Sequence, residues 1–368
     1  MISEAAYSED YVEYIVEYNG DSDALKSFYE PDQLRLIDSR YAVVYQRIPP
    51  DHMESFSRLE YTLFPKVYGP MDDVGALEAI GAVNIQEQNI LGLTGAGTLL
   101  GIVDCGIDIY NSAFLREGGR SRILAAWDQT IEGTDAAAYG YGMEYSAEEI
   151  QDAIDDGRKI ITDVTGHGTF CGSTAMSVAV GADVIAVKVK QAKRNLRGLY
   201  GIPLEPVACS EVDIMTAIAY LLKVQHRLKR PMCVLITWGS NSGSHTGAGA
   251  LEKYINNIGD LKGLAVAVAG GNEGRVGHHY RGIIGSKNDS IIPGSAASDD
   301  TSQSQGDYDT MEIEVTENDS FTLEIWGSAA NTYSVALEVP GGEYIDRISP
   351  RYDKSTVIRP IFGGGIIY

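Results

Sequence analysis

Four short apolar runs, each closed by a glycine-rich or polar turn, constrain this chain more than any other feature. They are residues 99–103 (Leu-Leu-Gly-Ile-Val), 182–189 (Ala-Asp-Val-Ile-Ala-Val-Lys-Val), 233–240 (Cys-Val-Leu-Ile-Thr-Trp-Gly-Ser) and 264–269 (Leu-Ala-Val-Ala-Val-Ala). None shows the strict alternation of a strand with one wet face. Near-continuous apolar character predicts strands covered on both sides, as in a parallel sheet. Helical patterns separate them: residues 211–224, apolar at Val212, Met215, Ala219 and Leu222, and residues 251–257. Strands alternating with helices predict an α/β fold, a doubly wound parallel sheet with right-handed crossovers. Such sheets gather their functional groups beyond the carboxyl ends of the strands. Asp104 closes the first run, and Asn272 follows the last through Gly270 and Gly271.

Between them lies Thr165-Gly166-His167-Gly168-Thr169, followed by the small residues Gly172, Ser173, Thr174 and Ala175. A histidine flanked by glycines, then small residues, predicts a strained turn feeding a tightly packed helix. A lone histidine there is more often structural than functional. Asp104 upstream and Asn272 downstream, each at a strand end, change the balance toward a site. Asp108 is a competing carboxylate, equally suited to a helix cap or a loop. Residues 117–163 are acidic and tyrosine-rich and predict an insertion, with one helix over 146–155 capped by Ser146. Their acidic residues read as a solvated face, with a cation site as the alternative. The basic stretch 188–197 reads as a surface loop.

The flanks follow a different grammar. Residues 11–18 and 41–48 predict strands. A helix over 23–28, capped by Asp21 or Ser22, lies between them. A second helix follows from Pro49 to about residue 59, and 65–73 read as a connector. Past Asn272, residues 310–326 and 333–339 alternate apolar and polar, and Gly363-Gly364-Gly365 opens another hairpin. They predict a partial antiparallel β-sandwich, jelly-roll-like. The expected divisions are 1–80, 81–300 and 301–368.

The chain has 368 residues, enough for one large core and a satellite unit. Its formal net charge of -22 disfavours nucleic acid and anionic membrane as partners. No apolar run is long enough for a membrane span, and residues 1–7 lack a secretory pattern. The expected location is therefore cytoplasmic. Cys105, Cys171, Cys209 and Cys233 have no CxxC spacing, so free thiols are expected and no metal.

Val103-Asp104-Cys105-Gly106-Ile107, Gly166-His167-Gly168-Thr169 and Ala269-Gly270-Gly271-Asn272-Glu273-Gly274 stand in the order of the aspartate, histidine and oxyanion-asparagine motifs of subtilisin-like serine proteases. The chain resembles that family over residues 84–275, and among its members the clostridial germination proteases, the Csp group. The resemblance implies Asp104, His167 and Asn272 as catalytic residues. It implies Thr237, Trp238, Gly239, Ser240, Gly270 and Gly271 as the groove for an extended peptide or protein substrate, with no cofactor. It also implies that residues 1–80 are a pro-domain, chaperone and inhibitor, whose tail lies in the substrate groove and is cut between Ala76 and Gln86. Three positions depart from the family pattern: Cys105 for Ser or Thr, Gly172 for Ala, and Trp238 for Leu, the last expected to reshape the groove walls.

The family's Gly-Thr-Ser-x-Ala nucleophile motif does not occur in the sequence. Gly294-Ser295-Ala296-Ala297 is the nearest string, too close to Asn272 and in a loop. The expectation is an endopeptidase whose serine lies in a C-terminal remainder of the protease, processing a protein precursor such as one of spore germination. The alternative is a pseudoprotease, a regulatory module that keeps the groove and binds peptides.

Overall fold

The computed structural model describes residues 2–29, 31–48, 61–70, 82, 92–132, 139–274, 276–282, 309–315, 321–328, 330–339 and 342–348. The helix expected over 49–59, the hairpin at 363–365 and the string at 294–297 lie outside these residues. So does nearly all of the expected cleavage window.

The N-terminal part opens with a short helix, α1 (Ile2–Tyr7), then β1 (Tyr11–Glu17), α2 (Ser22–Tyr29), β2 (Gln33–Leu36) and β3 (Tyr41–Arg47). The strands form an antiparallel sheet in the order β1-β3-β2. Side-chain alternation divides β1. Tyr11 and Ile15 face the main core, and Val12, Tyr14 and Val16 pack with Leu25, Val44 and Phe64. The Asp21 carboxylate accepts from the backbone N–H of Asp23 and Ala24, which starts α2 as expected.

The central sheet is built from β5 (Leu99–Asp104), β6 (Ile123–Asp128), β7 (Met143–Ser146), β8 (Asp183–Lys188), β10 (Met232–Ile236) and β12 (Leu264–Val268). Its order is β12-β10-β5-β8-β6-β7, parallel except for β7. Both faces are covered over β5, β8 and β10, as their continuous apolar runs predict, but β12, expected to be covered as well, is an edge strand with Val268 55% exposed. Ile102, Val184 and Ala186 pack with Met176 of α4 (His167–Val178) and with Ile150 of α3 (Ala147–Asp155). Val103, Ile185 and Val187 pack with α6 (Glu211–Leu228) and the N-terminal sheet. Ser146 and Glu149 close a capping box on α3. Ser210 caps α6, which runs on to a left-handed Lys229. The helix α7 (Ala250–Gly259) precedes β12.

Several expectations change. Residues 117–163 are not a pure insertion, since β6 joins the sheet and buries Trp127 against Tyr141 and Tyr220. Six residues among acidic and tyrosine-rich neighbours carry too short a pattern to stand out. Residues 65–73 are not a mere connector, because β4 (Val67–Pro70) is a paired strand.

The basic stretch is no surface loop either. Lys190, Lys193 and Arg197 are buried, Arg197 after the turn into α5 (Arg194–Leu199). Lys193 Nζ lies 3.4 Å from Glu13 of β1 and donates to the carbonyls of Ala5 and Tyr11. Lys190 Nζ lies 2.8 Å from Asp213, whose other oxygen accepts from the Tyr141 hydroxyl. The buried Arg35 guanidinium stacks over Tyr141 at 4.5 Å. The N-terminal sheet is thus joined to the core by interlocking buried charges.

Toward the C-terminus, β13 (Val335–Val339) and β14 (Glu343–Ile348) form an antiparallel hairpin. The described residues of 309–328 are not strands. No helix among the described residues is long and apolar enough to cross a membrane.

Candidate active site

The ends of three adjacent parallel strands converge on one sheet edge. β5 ends on Asp104, β10 is followed at once by Thr237, and β12 leads through Gly270 and Gly271 to Asn272. Asp104 is fully buried, and three donors surround its carboxyl group. Oδ1 accepts from the Cys105 backbone N–H at 2.6 Å, and Oδ2 accepts from the Thr237 hydroxyl. The third partner is His167, whose Nδ1 lies 2.8 Å from Oδ1 and 3.0 Å from Oδ2.

His167 is delivered by the first residue of α4, after Gly166 at φ +80. The sequence reading missed the residue that holds this turn, Asp163. Its Oδ1 accepts from the Thr165 N–H at 3.1 Å, the Thr165 hydroxyl at 3.0 Å and the Gly166 N–H at 2.8 Å. Its Oδ2 accepts from the Thr169 N–H at 2.8 Å and the Thr169 hydroxyl at 2.7 Å. Burial would raise this carboxyl; the donors from Thr169, Thr165 and Gly166 outweigh burial and hold it below the usual carboxylate range. An aspartate just ahead of a helix start, with threonines spaced to reach it, was the available signal. Asp108, the competing carboxylate, instead caps its own loop by accepting from Tyr110 N–H.

The close approach of α4 to β5 depends on glycine. A Cβ at Gly168 would fall 2.1 Å from the Gly106 carbonyl oxygen and 2.9 Å from Asp104 Cβ, and one at Gly172 would fall 2.8 Å from Ile102 Cδ1. That explains the glycine at 172. Gly168→Ala is expected to push the start of α4 off the strand, cost about 1–3 kcal/mol of stability and break the His167–Asp104 bond. Denaturant unfolding and the imidazole N–H resonance check both.

The His167 side chain is only 8% exposed. Burial opposes its charged form, but the Asp104 and Cys171 side chains outweigh that and raise its pKa to about 10. Its other nitrogen, Nε2, lies 3.8 Å from Cys171 Sγ, one turn further along α4.

Beside this pair, the segment expected to take an extended peptide is already paired with a strand of the chain itself. β11 (Trp238–Gly239) pairs antiparallel with β4, Trp238 opposite Pro70 and Gly239 opposite Gly69. On its other side β4 pairs with β9 (Cys209–Ser210), Val67 opposite Ser210 and Tyr68 opposite Cys209. Val67 enters a pocket of Ala192, Leu196, Tyr200 and Ala208, and Tyr68 is buried against the main core. Glu211 anchors the strand's start by accepting from the Lys66 N–H at 3.0 Å.

Of the expected groove residues, Thr237 turns its hydroxyl to Asp104 and Gly239 pairs with the occupant strand. Trp238 does not line the groove with its ring. The indole is buried in the core and donates to the Val103 carbonyl at 2.9 Å, so the expected reshaping of the walls does not hold for its side chain. The Ser240 hydroxyl accepts from the Ser242 N–H. Gly270, Gly271 and Asn272 are exposed in the turn after β12. Gly271 there has φ +98, a conformation that suits glycine.

No protein-family description matches the chain, and no curated protein matches it. Among solved structures it is similar to the CspB protease of Clostridium perfringens, with 26% sequence identity and a TM-score of 0.42. The similarity covers 52% of this chain and 39% of that one, so this chain spans well under half of that protein's length.

Proposed function

We propose that this chain carries the base, its orienting carboxylate and the peptide groove of a subtilisin-type serine endopeptidase. The observation that carries the reading is the bond from His167 Nδ1 to the fully buried Asp104, at a sheet edge beside a groove that accepts a strand on both sides. In this arrangement Asp104 fixes the tautomer of His167, leaving Nε2 to take a proton from a hydroxyl nucleophile and return it to the leaving amine. The Asn272 amide would donate to the oxyanion, a contribution worth about 3–4 kcal/mol of barrier in such sites. Substrate would add as a strand along Trp238–Gly239, with main-chain bonds giving affinity without strong dependence on its sequence.

The strand β4 now holds that place. We read the segment up to residue 80 as a pro-domain whose tail blocks the groove it guided into shape. The nucleophilic serine would come from a segment outside this sequence, whose 368 residues contain no Gly-Thr-Ser string. That same lack favours a second reading, a peptide-binding module without turnover.

A fluorophosphonate probe, which labels only an activated serine, separates the two. The protein with its natural C-terminal extension is expected to be labelled and to cut its own N-terminal segment. His167→Ala in that protein should lose both while its circular dichroism is unchanged. Labelling that survives the substitution refutes the base assignment. No labelling of the extended wild-type protein leaves the binding-module reading.

A further inference from the structure

The residue beside the candidate carboxylate is a thiol, and the fold places it with the histidine. A carboxylate oxygen of Asp104, Sγ of Cys105 and a ring nitrogen of His167 all lie within 4.8 Å of one another. We propose that these three side chains form a binding site for a divalent ion of the zinc class, which on binding holds the Asp104–His167 pair inactive.

The donor set decides the ion. Sulfur, imidazole nitrogen and one carboxylate oxygen suit zinc, whose bonds to them run about 2.0–2.3 Å. Calcium and magnesium prefer all-oxygen shells. Two ligand atoms sharing a tetrahedral zinc sit about 3.5 Å apart. A 4.8 Å spread therefore closes with side-chain rotations alone, leaving the fourth position to water. The ligands stand on firm ground. Asp104 ends a central strand, the Cys105 N–H is bonded back to Asp104 Oδ1, and His167 starts a helix packed on that strand. An outer layer is also in place, with the Thr237 hydroxyl on Asp104 Oδ2 and Cys171 Sγ beside His167 Nε2. Partners of this kind orient metal ligands.

The exchange balances without any redox step. The Cys105 thiol gives its proton to water as the sulfur–metal bond forms. As Nδ1 takes the metal, the proton it shares with Asp104 leaves, to water from the doubly protonated ring or to Nε2 from the neutral one, so that either way Nε2 ends with a hydrogen that Cys171 Sγ is placed to accept. A thiol must lose its proton to bind an ion, so uptake is expected to strengthen as pH rises. Once the ion is bound, Nε2 carries a hydrogen and cannot act as a base. That consequence rests on the protease reading above; ion uptake stands on the ligand geometry alone.

The test uses the 368-residue chain, reduced and stripped with a chelator. Titration with Co²⁺ is expected to produce a thiolate-to-cobalt charge-transfer band in the near ultraviolet, and Zn²⁺ to abolish it by displacement. Cys105→Ser keeps a small hydrogen-bonding side chain beside Asp104 and is expected to lose the band. Cys171→Ser is expected to keep it. Zn²⁺ should raise the melting temperature of the wild type and not of Cys105→Ser. Absence of the band in the wild type, or a band or melting shift unchanged in Cys105→Ser, overturns the site. A failed protease reading would leave the band intact. In the extended protein, cleavage unaffected by Co²⁺ at concentrations that give the full band would overturn the inhibitory role.

Discussion

Replacing Asp104 with asparagine is expected, if the proposed protease function holds, to lower the cleavage rate of the extended protein by about 10⁴-fold while the fold survives. The carboxyl is fully buried and takes hydrogen bonds from His167, Thr237 and the Cys105 N–H. An amide of the same shape keeps some of these but presents a donor to one of them, and favours the wrong tautomer of the ring. The same change should be visible in the pH dependence. The imidazole is raised to about 10 against opposing burial, chiefly by its hydrogen bond to Asp104, with Cys171 adding to it. A base works only when neutral, so wild-type cleavage should climb as pH rises through neutral toward that value. In Asp104→Asn the climb should move to lower pH.

Stability follows the same linkage. A folded-state pKa above the unfolded 6.5 contributes stability that is full below about 6.5 and is lost as pH rises through about 10. Asp104→Asn should flatten that slope. An imidazole NMR titration unchanged by the substitution would show that Asp104 does not govern the ring.

The largest expected effect on stability lies away from the site. Glu13→Leu is expected to cost about 3–5 kcal/mol, measured as a fall in the urea midpoint. Glu13 faces Lys193 at 3.4 Å, and Lys190 and Arg35 are buried nearby. Removing the carboxylate leaves cations in the interior with too few partners. The double variant Glu13→Leu with Lys193→Leu should recover much of the loss, since removing both partners avoids the unpaired charge. A single variant costing under about 1 kcal/mol would show that water reaches the cluster. Burial alone would raise the Glu13 carboxyl, but Lys193, Lys190 and Arg35 pull it below the usual range. Its stabilisation is therefore present above the ordinary carboxylate pKa of 4.5 and is lost as pH falls through the lower folded value.

Much of the candidate site could be read before any coordinates. The apolar runs at 99–103, 182–189, 233–240 and 264–269 encode strands by their own composition, and the turns that close them place Asp104, Thr237 and Asn272 on one edge. His167 announces itself through its flanking glycines, Gly166 taking the left-handed φ of the turn and Gly168 the close helix–strand contact that leaves no room for a Cβ. Asp163 was legible in principle as a helix-start acceptor but carries no distinctive spacing. Trp238 shows the limit of reading a residue type alone: a large side chain beside a groove turned inward to find a partner for its N–H, as a buried indole must.

By itself, the sequence determined the α/β class, the strand-end positions of Asp104 and Asn272 and the helix-start position of His167, because apolar period and glycine turns act over a few residues. Only the tertiary structure decided that residues 67–70 pair as a strand with Trp238–Gly239, that Lys190 and Lys193 are interior, and that Cys105 lies close to His167. Each outcome depends on a partner far along the chain, Ala5 to Lys193 being 188 residues apart. No local pattern records whether such a partner exists, yet its presence is what makes burying a lysine, pairing a short strand or gathering three ligands favourable.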